Sequence, residues 1–353
     1  MTKQRGGLIP RLALTAGGSL AAVGLGWLLY RLGVPLAWLL GPLLVSATLV
    51  LANTGFQPIP GGRQFAQLLL GAAVGIQFTP AVVAHSLQWL PLAAGIAVLS
   101  IAASALCAAP FRRIARVDWP TAYFATVPGG MSEMAQLGRR QGAQDEAVAI
   151  VQALRVGLIV VVLPFVVINL GPNVVTAAPA AAPGSGPMTI AAMFAICIAG
   201  GLLARLVGLN NPWMMGPLAA SIATAATGLM SWRLPGELLI LAQLLIGIAL
   251  GVRFRRHALF GLPRVVVAGM ATVALVTLIL GGAAVALSLL TGLPLPTLVL
   301  ATSPGGMPEM VVTAGALDLD PLLVTAFQIV RVILVNLLAV AIFRAAQRMF
   351  HWK

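Results

Sequence analysis

Apolar residues fill this chain in long runs, separated by short stretches that carry much of its Arg, Pro and Gly. Helices of roughly 20 such residues, rising 1.5 Å each, cover the hydrocarbon core of a bilayer. The pattern predicts spans at about 12–30, 35–53, 64–81, 88–110 and 146–169, then at 188–207, 212–230, 236–252, 265–290 and 320–343. Two further apolar segments, 119–137 and 295–314, are each interrupted by Pro-Gly-Gly. Hydropathy leaves open whether each of these crosses or turns back. The first run follows basic residues and has the outline of a secretory leader. It has a counterpart at the start of the second half, so it is expected to be retained as a span.

The interrupted segments carry a repeat. "ATVPGGMSEM", Ala125 to Met134, returns 176 positions later as "ATSPGGMPEM", Ala301 to Met310, with eight of ten residues identical. The match extends outward. Trp38, Gly41 and Pro42 pair with Trp213, Gly216 and Pro217, and Gln67, Gly71, Gly75 and Phe78 with Gln243, Gly247, Gly251 and Phe254. Gln152 and Arg155 fall opposite Gln328 and Arg331. The chain reads as a first membrane repeat over 1–170, a Pro-, Gly- and Ala-rich linker over 171–187, and a second membrane repeat over 188–353.

Charge then decides the orientation of the halves. Only 8% of residues are charged and mean hydropathy is +1.01, against about a quarter charged in a soluble domain. If each motif segment crossed the membrane, basic residues would divide between both sides. If each is re-entrant, Arg112, Arg113, Arg116, Arg139, Arg140 and the cluster over 253–264 all become cytoplasmic, leaving Arg31 and Arg233 outside. The expected fold is therefore an all-α polytopic membrane protein. It has two inverted repeats of five transmembrane helices plus one re-entrant hairpin each, about ten spans in all. It is expected to be multi-pass in a bacterial inner membrane, with both termini cytoplasmic. The net charge of +13 follows this orientation, so direct nucleic-acid binding is not expected. Cys107 and Cys197 lie in apolar runs, and His85, His257 and His351 are scattered, so neither a metal nor a cofactor is expected.

A re-entrant turn at membrane depth exposes backbone that must be buried in protein or face a polar cavity. The candidate substrate site is built from the two tips, Pro128, Gly129, Gly130 and Met131 with Pro304, Gly305, Gly306 and Met307. To these are added Glu133, Glu309, Gln152, Gln328, Arg155 and Arg331. The glycines are read as permitting unusual backbone angles. Each glutamate precedes its arginine by 22 residues, a spacing that allows an ion pair across a short connection. Two roles remain open at this stage. The arginines and tip amides bind an anion while a glutamate couples a proton or cation, or each Glu–Arg pair only locks hairpin to helix. The motif methionines read as packing, the "WxxGP" runs as kinked helices with interfacial Trp, and the "GxxxG" pairs as close helix contacts. Gln67 and Gln243 fit interhelical hydrogen bonds or a site equally well.

The duplicated "PGGMSEM" and "PGGMPEM", the "WxxGP" runs and the repeated "QxxR" resemble the AbrB family of bacterial inner-membrane proteins over essentially the whole chain. Members of that family are labelled ammonia monooxygenase or regulator of aidB expression. The name is shared with a small soluble DNA-binding protein, and no soluble domain of that kind is visible here. The layout is similar to that of several secondary transporter families, an analogy of architecture alone. The resulting expectation is a secondary transporter or exporter of a small anionic solute, coupled to protons or sodium, in contact with lipid and with room for a homodimer. The alternatives are a membrane regulator that alters gene expression without touching DNA, and a membrane enzyme. The oxygenase label asks for clustered histidines or carboxylates, which the sequence lacks.

Overall fold

The computed structural model describes residues 8–78, 88–170, 186–209, 211–228, 230–254 and 256–350. The linker 171–187, apart from its last two residues, lies outside this set, as do His85 and His351 and both chain ends.

Among the described residues all regular structure is helical. The first half supplies α1 (Leu8–Arg31), α2 (Ala37–Leu51), α3 (Gly62–Gly75), α4 (Leu90–Ala115), α5 (Trp119–Thr126), α6 (Met131–Arg139) and α7 (Asp145–Ile168). The second supplies α8 (Pro187–Leu206), α9 (Pro212–Thr227), α10 (Gly236–Gly251), α11 (Arg256–Gly261), α12 (Pro263–Thr291), α13 (Leu295–Thr302), α14 (Met307–Ala316) and α15 (Pro321–Phe350). Five of these, α4, α7, α8, α12 and α15, are long and apolar enough to cross a membrane, and α2 and α10 are shorter apolar helices. Length and composition together mark a membrane protein.

The chain divides into two compact units, each drawing on both halves of the sequence. The first comprises Met1–Gly75, Ala178–Ser221 and Met230–Arg256. Here the repeated glycines bring helix backbones together. A Cβ on Gly41 of α2 would overlap the backbone of Gly26 in α1, and one on Gly216 of α9 would overlap Gly200 in α8. Trp38 lies across Gly26, and Trp213 across Gly201. The "WxxGP" run is thus a helix-packing device: glycine lets the backbones touch and tryptophan covers the contact. The "GxxxG" pairs join the halves. Gly71 and Gly75 of α3 meet Met214, Leu218 and Ser221 of α9, while Gly247 and Gly251 of α10 meet Leu39, Pro42, Leu43 and Ser46 of α2. Gln67 and Gln243 are buried in this unit.

The second unit comprises Ile76–Ala177, Ile222–Leu229 and His257–Lys353 and holds both Pro-Gly-Gly motifs. Its central helix α4 packs on α12 and α15. Tyr123, Phe124 and Phe343 form an aromatic cluster, and the Tyr123 hydroxyl donates to the carbonyl of Ala339 at 2.9 Å.

The first motif segment folds back on itself. Asp118 caps α5 by accepting from the Thr121 amide at 2.7 Å, and Pro120 fits the first turn, where no amide partner is needed. The chain turns at Val127–Gly130, and α6 returns alongside. Its end is fixed beside its start: the Gln144 amide donates to Thr121 Oγ1 at 2.8 Å, and a Cβ on Gly138 would sit 3.1 Å from Phe124 Cβ. Two half-length helices that enter and leave at one end make a hairpin.

Candidate functional site

Each residue type in the motif has a steric or electrostatic reason. The glycines are required by crowding rather than by backbone angle. Gly130 has φ −68° and Gly306 φ −78°, ordinary values, and neither Gly129 nor Gly305 has a positive φ. This differs from the expectation of unusual dihedrals. A Cβ on Gly129 would come within 2.5 Å of the Met134 side chain, and one on Gly305 within 2.8 Å of Met310. A Cβ on Gly130 or Gly306 would strike the carboxylate of Glu133 or Glu309. Thus the first glycine leaves space for the second methionine, and the second glycine leaves space for the acid. Met134 and Met310 are fully buried beneath the turns, so the packing role read for the methionines holds there.

Gly130 and Gly306 are also the N-caps of α6 and α14, which places Glu133 and Glu309 in the first turn of each helix, with the carboxylate folded back over the amino end. A negative charge is stabilised there by the unpaired amides and the helix dipole. Glu309 is 4% exposed and Glu133 half-buried.

The other ends of the broken helices are held by glutamine and arginine. The last carbonyls of α5 and α13 have no intrahelical partner, and inside a bilayer no water would replace one. Gln152 Nε2 donates to the carbonyls of Phe124, Ala125 and Val127 at 3.0, 3.3 and 2.8 Å. Gln328 Nε2 does the same for Leu300, Ala301 and Ser303 at 3.1, 3.4 and 3.2 Å. Arg155 donates to Val127 and Gly129, the latter at 2.8 Å, and Arg331 to Ser303 and Gly305, the latter at 2.6 Å. Acceptors in the two halves are 176 residues apart, so the sequence repeat recurs as a repeat of bonds.

In the second half this arrangement stands where an ion pair from Glu309 to Arg331 was expected. Arg331, 4% exposed, spends its terminal nitrogens on two carbonyls, and among the described residues no ion pair joins it to Glu309. The reason is electrostatic. The arginine sits at the negative, carboxyl end of the first half-helix and the glutamate at the positive, amino end of the second. In the second half each charge therefore faces a helix end of opposite sign.

The two tips converge. Pro128 and Pro304 line one cavity of 10 Å³ together with Arg155, Thr126 and Thr272. Its volume suits about one water molecule. Thr126 was not among the expected site residues, although the repeat that returns it as Thr302 could have pointed to it. Thr272 carried no signal, a lone hydroxyl in the apolar run of α12. Of the expected site residues, the tips, Gln152, Gln328, Arg155, Arg331, Glu133 and Glu309 all fall in this unit, whereas Gln67 and Gln243 belong to the other.

A family model described as "Transition state regulatory protein AbrB" matches residues 38–347, nearly the whole chain. The chain belongs to the AbrB family. It is similar to "Uncharacterized protein YhjN" of Bacillus subtilis (strain 168), 27% identical over 347 residues covering 90% of this chain and 88% of the relative. It is likewise similar to "Putative regulator AbrB" of Escherichia coli (strain K12), 27% identical over 319 residues, 88% of this chain and 90% of that one. The region shared with the family contains both Pro-Gly-Gly tips, both QxxR pairs and both tip glutamates.

Proposed function

We propose that this protein is a secondary transporter of a small anionic solute, with its site at the paired tips. The observation that carries the reading is the meeting of two broken helices at one small cavity, each with a buried arginine at one end and an acid over the other. Soluble packing has no need of a broken, glycine-crowded turn in duplicate. Inverted-repeat transporters place broken helices at the bilayer midplane, with half-helix amino ends facing an anionic substrate group. The fold this reading carries is two inverted repeats of five spans and a re-entrant hairpin, in a bacterial inner membrane with both termini cytoplasmic.

The glutamates suggest how a proton would couple to the solute. Each carboxylate occupies an amino-terminal anion site that a solute carboxylate or oxyanion would also prefer. Protonation removes the attraction that holds the side chain there, and the vacated helix end accepts the solute's negative charge. Arg155 and Arg331 keep the hairpin ends fixed while adding positive potential. The regulatory label of the E. coli relative is compatible with this, through altered solute levels. No catalytic role is proposed, because the tips offer dipoles, acids and guanidinium groups without an activated nucleophile.

Two measurements test the reading. Purified protein screened by thermal unfolding against mono- and dicarboxylates, phosphate and sulfate should be stabilised by an anion, with size-matched cations inert. The stabilising anion should then accumulate in proteoliposomes. Stabilisation by cations alone, or no uptake of any stabilising anion, overturns the assignment. In a background with Cys107 and Cys197 replaced, Arg116→Cys and Arg140→Cys should both be shielded from an impermeant thiol reagent in intact cells and both label in inside-out vesicles. Labelling from opposite sides would remove the re-entrant topology.

A further inference from the structure

A cavity in the first unit is lined by none of the tip residues. It lies between α10 and the loop after α2 and has a volume of 290 Å³, close to the lower limit of small-ligand pockets. Leu245, Ile248, Ala249 and Val252 give it an apolar lining, and Arg63 and Arg253 supply two positive charges. Among the described residues no acidic side chain lines it. The wall is set by a close contact: Gly61 adopts φ +75° to turn the chain, and Gly62 then lies so near α10 that a Cβ would stand 3.1 Å from Leu245.

The electrostatics of this cavity call for an anion. Arg63 sits in the first turn of α3, where its charge adds to the positive end of the helix dipole instead of offsetting it. Arg253 follows the end of α10 and contributes a second cation to the same space. The positive-inside reading puts both on the cytoplasmic face, where the leaflet carries anionic lipid. The ligand must therefore be negative at one end and apolar at the other.

We infer that this cavity binds the phosphate headgroup of an anionic phospholipid, with the adjoining acyl segment against Leu245, Ile248, Ala249 and Val252. A free phosphate shares the charge. It would leave the wall of Leu245, Ile248, Ala249 and Val252 uncovered, which an acyl segment buries, so lipid is the better match. The inference rests on the inverted, re-entrant topology proposed above, which makes this face cytoplasmic, and is independent of transport at the tips.

The test uses the full chain in neutral detergent, titrated with dioleoylphosphatidylglycerol, dioleoylphosphatidylcholine or inorganic phosphate while the unfolding midpoint is followed. Phosphatidylglycerol should raise the midpoint, with the other two near baseline. Arg63→Gln and Arg253→Gln should each weaken the apparent affinity about fivefold, the worth of one basic residue near an anionic headgroup. Ala249→Phe, which fills the cavity and keeps both charges, should weaken it too, whereas Arg348→Gln, at an exposed position near the end of α15, should not. Equal stabilisation by phosphatidylcholine or by inorganic phosphate overturns the lipid assignment. Unchanged affinity in both arginine variants, or in Ala249→Phe, overturns the site.

Discussion

Gln328→Leu lowers the thermal midpoint by several degrees and reduces anion uptake to background, although the residue never needs to touch the solute. Its amide donates to the carbonyls of Leu300, Ala301 and Ser303 at the carboxyl end of α13. Leucine fills the space and donates nothing. Each buried carbonyl left without a partner costs about 1–3 kcal/mol, and an amide with two N–H groups serves at most two at once, so the total is about 2–6 kcal/mol. A loss of that size is large against the few kcal/mol that separate folded from unfolded domains. The tip then has two routes to relief, fraying of α13 or displacement of Pro304 from the cavity it shares with Pro128. Both change the site.

Arg331 provides the matching contrast. Arg331→Lys keeps a positive charge at the helix end, but one ammonium lacks the fork that reaches Ser303 and Gly305 together. Arg331→Met removes both charge and donors. Stability should fall in the order wild type, Arg331→Lys, Arg331→Met, measured as thermal midpoints in detergent. If Gln328→Leu and Arg331→Met are both as stable as wild type, the tips are not held as described.

The duplicated tips were legible because identity at that level, 176 residues apart, survives only where several residue types are constrained together. The geometry supplies those constraints one by one: Gly129 for Met134, Gly130 for Glu133, Gln152 and Arg155 for the last carbonyls of α5. The five helices long and apolar enough to cross a membrane were legible from composition. The partners of Glu309 and Arg331 were not, because spacing alone treats two opposite charges as each other's best neighbours. It cannot weigh the helix ends that a Pro-Gly-Gly break creates between them. The interlocking of α3 with α9 and of α10 with α2 was also beyond reach. A "GxxxG" pair states that a backbone will approach closely, and only the tertiary fold says which one. Pattern reading divides the chain end to end, while the compact units divide it by contact, so each unit takes helices from both halves of the sequence.

The second large effect separates coupling from binding. Glu309→Gln should retain anion-stimulated thermal stabilisation and anion–anion counterflow in proteoliposomes, while abolishing accumulation driven by a proton gradient. Glutamine matches the protonated glutamate in size and lacks its charge, so it leaves the amino end of α14 without a resident anion. On the proposed mechanism that is the solute-accepting state, held permanently. Affinity for the anion at neutral pH should therefore rise, because wild type must first take up a proton to vacate the helix end. Glu309 is the better target than Glu133, since burial to 4% exposure makes its negative charge more dependent on the helix end. A side chain forced onto the adjacent cap, as in Gly306→Ala, should act in the same direction. The new Cβ displaces the Glu309 carboxylate from the amino end. Gradient-driven accumulation that survives Glu309→Gln would show that the acid is not the coupling group, leaving it the role of a helix cap. Loss of counterflow along with accumulation would place it in solute binding itself.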